Sequence, residues 1–226
     1  MEHFFDSRET ASIAAAERLA DALQRRLDVQ AEASLVVSGG TTPARCLEEL
    51  SGVPLEWQRV HVLLSDERWV PGDDPDSNEA MIRKTLLQNC AAHANLLPIY
   101  DDTDTASRCQ SLETDIRAIP FPFASALIGM GEDGHFASLF PDFEDLKIGL
   151  DVDYEGLCLP VSSAASPHPR LTLTLAALSR SDEVVLLFFG DAKRDVYEQA
   201  KLASNGFPVS RLLLQKRAPV HVYWAP

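Results

Sequence analysis

A largely apolar run that ends in glycines, a carboxylate and an imidazole is the most chemically suggestive stretch of this 226-residue sequence. Residues 124–130 lack polar alternation, as in a strand buried on both faces of a parallel sheet. Asp133 and His135 follow within a turn that contains three glycines, Gly129, Gly131 and Gly134. Glycine lets a backbone approach a ligand closely, and the carboxyl ends of parallel strands border ligand crevices. We therefore predict a functional role for His135, against the alternative of a buried core histidine.

A second glycine turn follows the predicted strand at residues 34–37 and precedes a predicted helix at 44–50. Such a turn directs backbone N–H groups and the positive end of a helix dipole at one point, which suits a phosphate. The residues we expect to bind there are Gly39, Gly40, Thr41 and Thr42. The turn matches neither the dinucleotide-binding nor the nucleoside triphosphate-binding glycine pattern. A tight turn without a ligand is the alternative.

Charged residues stand at the ends of other predicted strands. Asp66 and Arg68 follow the strand at 60–65, and Arg170 begins an alternating strand pattern. Lys193 follows the strand at 183–189 and its terminal Gly190. A charged side chain at such a position costs desolvation free energy unless it forms an ion pair or binds a ligand. Either a ligand or an ion pair with a neighbouring acid therefore explains Arg68.

Composition narrows the function classes. The formal charge of −14, from 20 basic and 34 acidic residues, argues against nucleic acid as a partner. No signal peptide or membrane-spanning run is recognisable, and the four cysteines form no C-x-x-C pair, which predicts reduced thiols in a cytoplasmic protein. The six histidines are scattered singly, so no metal site is expected. No Pro/Ser/Gly-rich linker divides the chain, and we expect one domain over residues 1–226.

Strand and helix patterns alternate along the chain. Ser7 is a plausible N-cap for a helix over residues 7–27, and further helices are expected at 79–88 and from 191 to about 203, with a last strand at 220–224. This alternation predicts an α/β fold: a doubly wound, mostly parallel sheet with helices on both faces, in a Rossmann-like three-layer sandwich. The acidic segment 142–155 has no clear pattern.

Three of these motifs together resemble the 6-phosphogluconolactonase family. They are Ser-Gly-Gly-Thr-Thr-Pro at 38–43, Asp-Glu-Arg-Trp-Val-Pro at 66–71 with Ser-Asn at 77–78, and Gly-Met-Gly-Glu-Asp-Gly-His-Phe-Ala-Ser-Leu-Phe-Pro at 129–141. The resemblance spans most of the chain in the same order. It implies metal-free hydrolysis of 6-phospho-D-glucono-1,5-lactone to 6-phosphogluconate, in the pentose phosphate pathway. Thr41 departs from the family, which more often has serine there, but retains the hydroxyl.

The related glucosamine-6-phosphate deaminases and isomerases are the chief alternative, because they share the sheet and the Asp-Gly-His turn. That family usually follows its histidine with an Asn-Glu-Pro segment, whereas this sequence has Leu-Phe-Pro at 139–141. Its first carboxylate motif is normally Asp-Glu-Tyr, whereas Arg68 completes the motif here. Both differences favour the lactonase. A non-catalytic phosphosugar sensor on the same sheet is a further alternative.

The resemblance also implies roles for the predicted site residues. His135 would be the general base that activates water, Asp133 would orient its ring or cap the turn, and Arg68 would stabilise the oxyanion or contact sugar hydroxyls. The glycine turn, Arg170 and Lys193 would hold the 6-phosphate, and Asp66 would contact the substrate. No cofactor, nucleic acid or membrane partner is implied. We expect a monomer or a small homo-oligomer.

Overall fold

A computed structural model describes residues 1–202 and 206–226. In chain order the strands are β1 (Glu2–Phe4), β2 (Ala33–Val37), β3 (Val60–Leu64), β4 (Asp66–Arg68), β5 (Asn95–Leu97), β6 (Ser125–Ile128), β7 (Cys158–Val161), β8 (Arg170–Leu173), β9 (Val184–Phe189) and β10 (Val220–Ala225). The helices are α1 (Arg8–Leu27), α2 (Thr41–Ser51), α3 (Asn78–Thr85), α4 (Thr105–Ala118), α5 (Leu146–Gly149), α6 (Leu175–Leu178), α7 (Asp191–Ala200) and α8 (Pro208–Leu214), with short 3-10 helices at Trp57–Arg59 and Asn89–His93.

The main sheet is parallel at every pairing that the structure describes, in the order β1-β10-β9-β6-β2-β3-β5. From β2 the chain winds outward through β3 and β5, then returns to the other side of β2 and continues through β6, β9 and β10. The central strands β2 and β6 are buried along their whole length, because helices cover the sheet. The predicted doubly wound α/β fold is confirmed.

The winding direction reverses between β2 and β6, which pair in register from Leu35 opposite Ser125 to Val37 opposite Leu127. At such a switch point the loops that leave the two strands diverge to opposite sides and open a crevice at the carboxyl ends. The loop after β2 is the glycine turn and the loop after β6 carries His135. The two stretches that the sequence singled out therefore flank one crevice.

A small antiparallel sheet, in the order β4-β8-β7, stands beside the main sheet. The sequence indicated a strand at β8 but not that it pairs outside the main sheet. The junction is at Ser65, which follows β3: its N–H donates to the Val37 carbonyl in the main sheet, and its carbonyl accepts from Leu173 in β8. Arg68 and Arg170 thus enter the crevice region from this second sheet.

Helix termini agree with the predicted caps and differ in some bounds. Ser7 caps α1 by accepting from the Thr10 N–H at 3.2 Å. Helix α2 begins at Thr41 rather than at residue 44, so the two threonines belong to its first turn. The helix predicted at 79–88 ends at Thr85, and the predicted end of α7 near residue 203 lies outside the described residues. The unassigned segment 142–155 contains only the short helix α5 within these bounds.

Within the described part of the chain, no helix is both long and apolar enough to cross a membrane.

A buried histidine lies where α1 covers β10. His221 is 1% exposed, and its Nε2 lies 2.6 Å from Nη2 of Arg18, which also pairs with Glu183 at 2.9 Å. His3 stacks on Tyr223 beside it, with ring centroids 4.7 Å apart. Burial, reinforced by the Arg18 charge, lowers the pKa of His221 to about 4. The imidazole is therefore neutral in the folded protein at neutral pH.

This depressed pKa predicts a loss of stability on mild acidification. The unfolded chain binds a proton at His221 below about pH 6.5, whereas the folded chain resists it until about pH 4, so the free energy of unfolding falls as pH decreases across that window. Denaturant unfolding of wild type and His221→Gln between pH 4 and 7 tests this. The variant should show a shallower slope, and His93→Gln, at an exposed position, should keep the wild-type slope.

Candidate active site

The crevice at the switch point is a cleft of about 250 Å³. Its walls come from the loops after β2 and β6, from the small sheet and from the start of α7. The lining includes Ser38, Gly39, Gly40, Thr41, Thr42, Asp66, Arg68, Asn78, Gly129, Gly131, His135, Arg170 and Lys193. All of the predicted site residues except Asp133 thus line one cleft, and Asp133 touches His135 directly.

The glycine turn leaves the amino end of α2 open toward the cleft. Gly40 is the N-cap residue and has φ of +94°, a conformation that strongly favours glycine, and no side chain caps this helix terminus. A Cβ atom on Gly39 would lie 2.0 Å from Oδ1 of Asn78, so only glycine fits there. The uncapped first turn is suited to receive an anion.

The loop after β6 is a tight turn that closes on its own backbone. Gly131 N–H donates to the His135 carbonyl at 2.9 Å, and Gly134 N–H donates to the Gly131 carbonyl at 3.1 Å. A Cβ atom on Gly131 would lie 2.3 Å from Nδ1 of His135, and Gly134 has φ of +75°. These glycines allow the imidazole to fold back over the turn.

His135 and Asp133 form a close hydrogen-bonded pair. Nδ1 of His135 lies 2.6 Å from Oδ1 of Asp133, and the same oxygen accepts from the His135 backbone N–H at 3.2 Å. Because a carboxylate only accepts, the contact selects the Nδ1–H tautomer and leaves Nε2 with a free lone pair. The imidazole is 29% exposed and packs against the Phe140 ring at 4.5 Å, so His135 is not a buried core histidine.

Asp66 is the buried acceptor at the centre of the site, at 5% exposure. It accepts from the Ser65 hydroxyl at 2.8 Å, the Ser138 hydroxyl at 2.5 Å and Arg170 Nη1 at 3.4 Å. Ser65 in turn contacts the Ser38 hydroxyl at 2.9 Å. These bonds link the glycine turn, the His135 loop and the small sheet, and they give Asp66 a structural role whether or not it contacts substrate.

Arg68 and Arg170 lie directly opposite each other on the small sheet. Two like charges in such a cross-strand pair repel each other unless an anion is near. Arg170 donates to Ser166 at 2.8 Å and stacks over Phe140, and burial lowers its pKa. Arg68 donates to the Asp76 carbonyl but forms no ion pair among the described residues, which disfavours the ion-pair explanation for this residue.

Lys193 completes the cationic side of the cleft from the first turn of α7, next to the N-cap Gly190 with φ of +89°. Burial lowers the pKa of its ammonium group, and the nearby carboxylates of Glu132 and Asp133 oppose that shift. The described residues offer Lys193 no ion-pair partner within 4 Å. Three cationic side chains and an uncapped helix end therefore converge on a cleft in a strongly acidic protein.

Glu67, Asn78 and Ser138 are structural members of the site whose roles were not predicted from the sequence. The Glu67 carboxylate is fully buried and accepts from the N–H groups of Arg68, Asn78 and Glu79 and from the Ser77 hydroxyl, at 2.7 to 3.0 Å. Burial raises the pKa of Glu67, and these bonds oppose the shift. The sequence signal for the role of Glu67 was the Ser-Asn pair at 77–78, which precedes a helical pattern. The N-terminus of a helix is a favourable place for a carboxylate.

Among the residues described, no group of three or more His, Cys, Asp or Glu side chains is arranged to hold a metal ion.

Comparison with known proteins places the chain in a family. The family described as "Glucosamine-6-phosphate isomerases/6-phosphogluconolactonase" matches residues 6–224. The chain belongs to this family. A 6-phosphogluconolactonase of Mesorhizobium japonicum is 38% identical over 223 residues, 98% of this chain and 94% of that relative. The corresponding protein of Caulobacter vibrioides is 39% identical over 224 residues, with 98% and 95% coverage.

The solved structures agree with the family assignment. The crystal structure of a 6-phosphogluconolactonase from Shewanella baltica superposes with a TM-score of 0.95 at 34% identity, and covers 100% of this chain and 97% of its own. The resemblance inferred from three motifs is therefore confirmed at the level of family.

Glu67 provides a test of how the site is supported. In Glu67→Gln one acceptor oxygen becomes an NH₂ group that faces N–H donors, so we expect a loss of at least about 2 kcal/mol in the free energy of unfolding. Urea unfolding at neutral pH measures it. Glu144→Gln, which changes an exposed carboxylate, should stay within about 0.5 kcal/mol of wild type. Equal stability of the two variants would show that Glu67 does not support the site.

Proposed function

We propose that this protein hydrolyses 6-phospho-D-glucono-1,5-lactone to 6-phospho-D-gluconate, a step of the pentose phosphate pathway. The observation that carries the proposal is the His135–Asp133 pair, 2.6 Å apart, with the imidazole lining a cationic cleft at the switch point. The family assignment supports the substrate class, because the similar proteins from three organisms are named 6-phosphogluconolactonases.

His135 acts as the general base. Its Nε2 takes a proton from water as the water oxygen attacks the lactone carbonyl carbon, and the imidazolium returns a proton to the ring oxygen as the ring C–O bond breaks. Asp133 keeps the Nδ1–H tautomer and stabilises the transient imidazolium. A lactone is an activated ester, so one positioned base and a site for developing negative charge are sufficient.

Arg68 stabilises the oxyanion that forms on the carbonyl oxygen. Its guanidinium lines the cleft and has no carboxylate partner among the described residues. Among the same residues, its Nε atom also has no hydrogen-bond acceptor. A cation held in place before the reaction stabilises developing charge without reorganisation. The opposite position of Arg170 raises the positive potential further.

The phosphate group binds between the glycine turn and Lys193, with Arg170 at the edge. The first turn of α2 offers backbone N–H groups and the hydroxyls of Thr41 and Thr42. Lys193 adds a charge-assisted hydrogen bond. Anchoring the phosphate fixes the distance between the lactone carbonyl carbon and the base. Phosphate binding energy thus holds the substrate in the orientation that the reaction needs. Asp66 contacts the sugar through its remaining lone pair, because three donors occupy three of about four acceptor sites of its carboxylate.

The deaminase alternative is less well supported by the residues around the base. Phe140 occupies the segment where that family has its glutamate, and its ring packs against both His135 and Arg170. A phosphosugar sensor would need no base, yet His135 is oriented by a carboxylate and reaches the cleft.

The reaction needs neither a metal nor an organic cofactor in this proposal, because His135 and the cationic residues supply base and charge stabilisation. We place it in the cytoplasm, since all four cysteines are free thiols and such thiols are typical of reducing compartments. The single-domain organisation and the oligomeric state, monomer or small homo-oligomer, stay predictions.

One experiment separates the three functions. Freshly generated phosphogluconolactone and glucosamine 6-phosphate are each supplied to the purified protein, and turnover is followed by a coupled assay with the spontaneous opening of the lactone subtracted. Turnover of the lactone alone, unchanged by exhaustive chelation, supports the proposal. Turnover of the amino sugar favours the deaminase, and binding without turnover of either compound favours the sensor.

His135→Asn should lower kcat on the phosphorylated lactone about 100-fold to 10,000-fold, because the general base is lost. Circular dichroism and phosphate binding should remain near wild type. His93→Asn, at an exposed position away from the cleft, serves as the matched control and should retain full activity. Near wild-type turnover in His135→Asn would exclude the proposed base.

Lys193→Ala should raise KM for the phosphorylated lactone roughly 10-fold to 100-fold and leave activity on unphosphorylated gluconolactone nearly unchanged, because only the phosphate contact is lost. Arg170→Ala should weaken both activities, since Arg170 also bonds to Asp66 and Ser166. Lys147→Ala, at an exposed position, is the control. If Lys193→Ala affects both substrates equally, Lys193 supports the fold rather than the phosphate.

A further inference from the structure

Two cysteines from distant parts of the sequence meet where helix α4 packs against strand β7 of the small sheet. Cys109 lies on α4 and Cys158 on β7, and their sulfur atoms are 2.6 Å apart. The Cys158 thiol also reaches the Cys109 carbonyl at 3.2 Å. Neither residue lines the cleft. The other two cysteines differ in setting, since Cys46 is buried and Cys90 is exposed.

The two thiols are unequal. Cys158 is 2% exposed, whereas Cys109 is partly exposed. The hydrogen bond from Cys158 lowers the pKa of Cys109, and the same contact together with burial raises the pKa of Cys158. Glu113 nearby opposes thiolate formation at both sulfurs, while Arg108 favours it at Cys158. This asymmetry suits one attacking thiolate and one resolving thiol.

We propose that Cys109 and Cys158 are a modification site, a dithiol that a peroxide converts reversibly into a disulfide between α4 and the small sheet. The geometry supports it, because a disulfide has an S–S distance of about 2.05 Å and closing the gap requires a shift of about half an ångström. The proposal is independent of the lactonase assignment, since it uses no residue of the cleft.

The chemistry balances in two steps. The Cys109 thiolate attacks one peroxide oxygen, the O–O bond breaks, and the second oxygen leaves as water after it takes a proton, which gives a sulfenic acid. The Cys158 sulfur then attacks the Cys109 sulfur, the S–O bond breaks, and the hydroxyl leaves as water with the Cys158 proton. Two thiols lose two electrons and two protons, and hydrogen peroxide becomes two water molecules. A dithiol reductant reverses the process by exchange.

The cross-link would restrain the chain that carries the site. The segment from 109 to 158 contains β6 and the whole His135 loop, and β7 pairs with β8, where Thr172 accepts from the Ser138 N–H at 3.1 Å. Closing a loop of this length limits the unfolded ensemble, which stabilises the folded state. Because the native positions barely move, oxidation should raise the melting temperature by roughly 5 °C or more rather than reshape the cleft.

The test uses the Cys90→Ser protein, which removes the exposed thiol and with it intermolecular linkage. After treatment with about one equivalent of hydrogen peroxide, we expect a non-reducing tryptic digest to contain residues 109–117 linked to residues 148–170. Dithiothreitol should release the two peptides. Melting temperature before and after oxidation should rise, and should fall again on reduction.

Cys109→Ser in the same background is the matched control, because a hydroxyl replaces a partly exposed thiol with little change in volume. It should fold, show no linked peptide and show no thermal shift on oxidation. Oxidation of Cys109 to sulfinic acid without a link, or linkage of either residue to Cys46, would overturn the proposal. A linked peptide with an unchanged or lower melting temperature would overturn its stabilising role.

Discussion

The structure around the cleft depends on how two adjacent buried carboxylates, Asp66 and Glu67, are satisfied at the junction of the two sheets. A buried carboxylate is tolerated only when several donors surround it. Glu67 accepts hydrogen bonds from the first turn of α3, which includes the N–H group of Asn78. The Asn78 side chain consequently lies against Gly39, and its amide donates to the backbone carbonyl of Asp66 at 2.8 Å. Asp66 joins the Ser138 hydroxyl and Arg170 to the same point. These two buried acceptors thus fix the glycine turn, the His135 loop and the small sheet relative to one another.

Much of the fold was predictable because apolar runs and the glycine turns that end them are local features of the sequence. The strands β2, β3, β6, β9 and β10 appear in the sequence as apolar runs, and Ser7 was identified as a helix cap. The small sheet was missed because β4 has only three residues and follows β3 after a single residue, so no turn signal separates them. Strand β5 is equally short, and pairing between remote segments leaves no local trace in one sequence.

The same contrast between local sequence signals and long-range pairing applies to the residues of the site. Chemistry-bearing residues at strand ends could be identified individually, and all but Asp133 line one cleft. The contact of Asp133 with His135 was one of two roles expected for that carboxylate, and its 2.6 Å geometry depends on a backbone turn that contains Gly131 and Gly134. The position of Arg68 opposite Arg170 could not be predicted, because it depends on the register in which β4 and β8 pair. The Cys109–Cys158 contact is of this kind, since 49 residues separate its members.

The apolar residue Phe140 beside His135 suits a reaction that uses a single proton-transferring group. The centroid of its ring lies 4.5 Å from that of the His135 imidazole and 5.3 Å from the Arg170 guanidinium carbon, so the buried Phe140 presents an apolar surface to both side chains. An acid at that position would compete for Arg170 and offer a second proton acceptor beside the base. Ring opening of an amino sugar benefits from that second group, whereas lactone hydrolysis needs one group that takes a proton and then returns it. With an apolar residue there, the proposed mechanism assigns both proton transfers to His135, whose ring is held by Asp133 at Nδ1 and packs against Phe140.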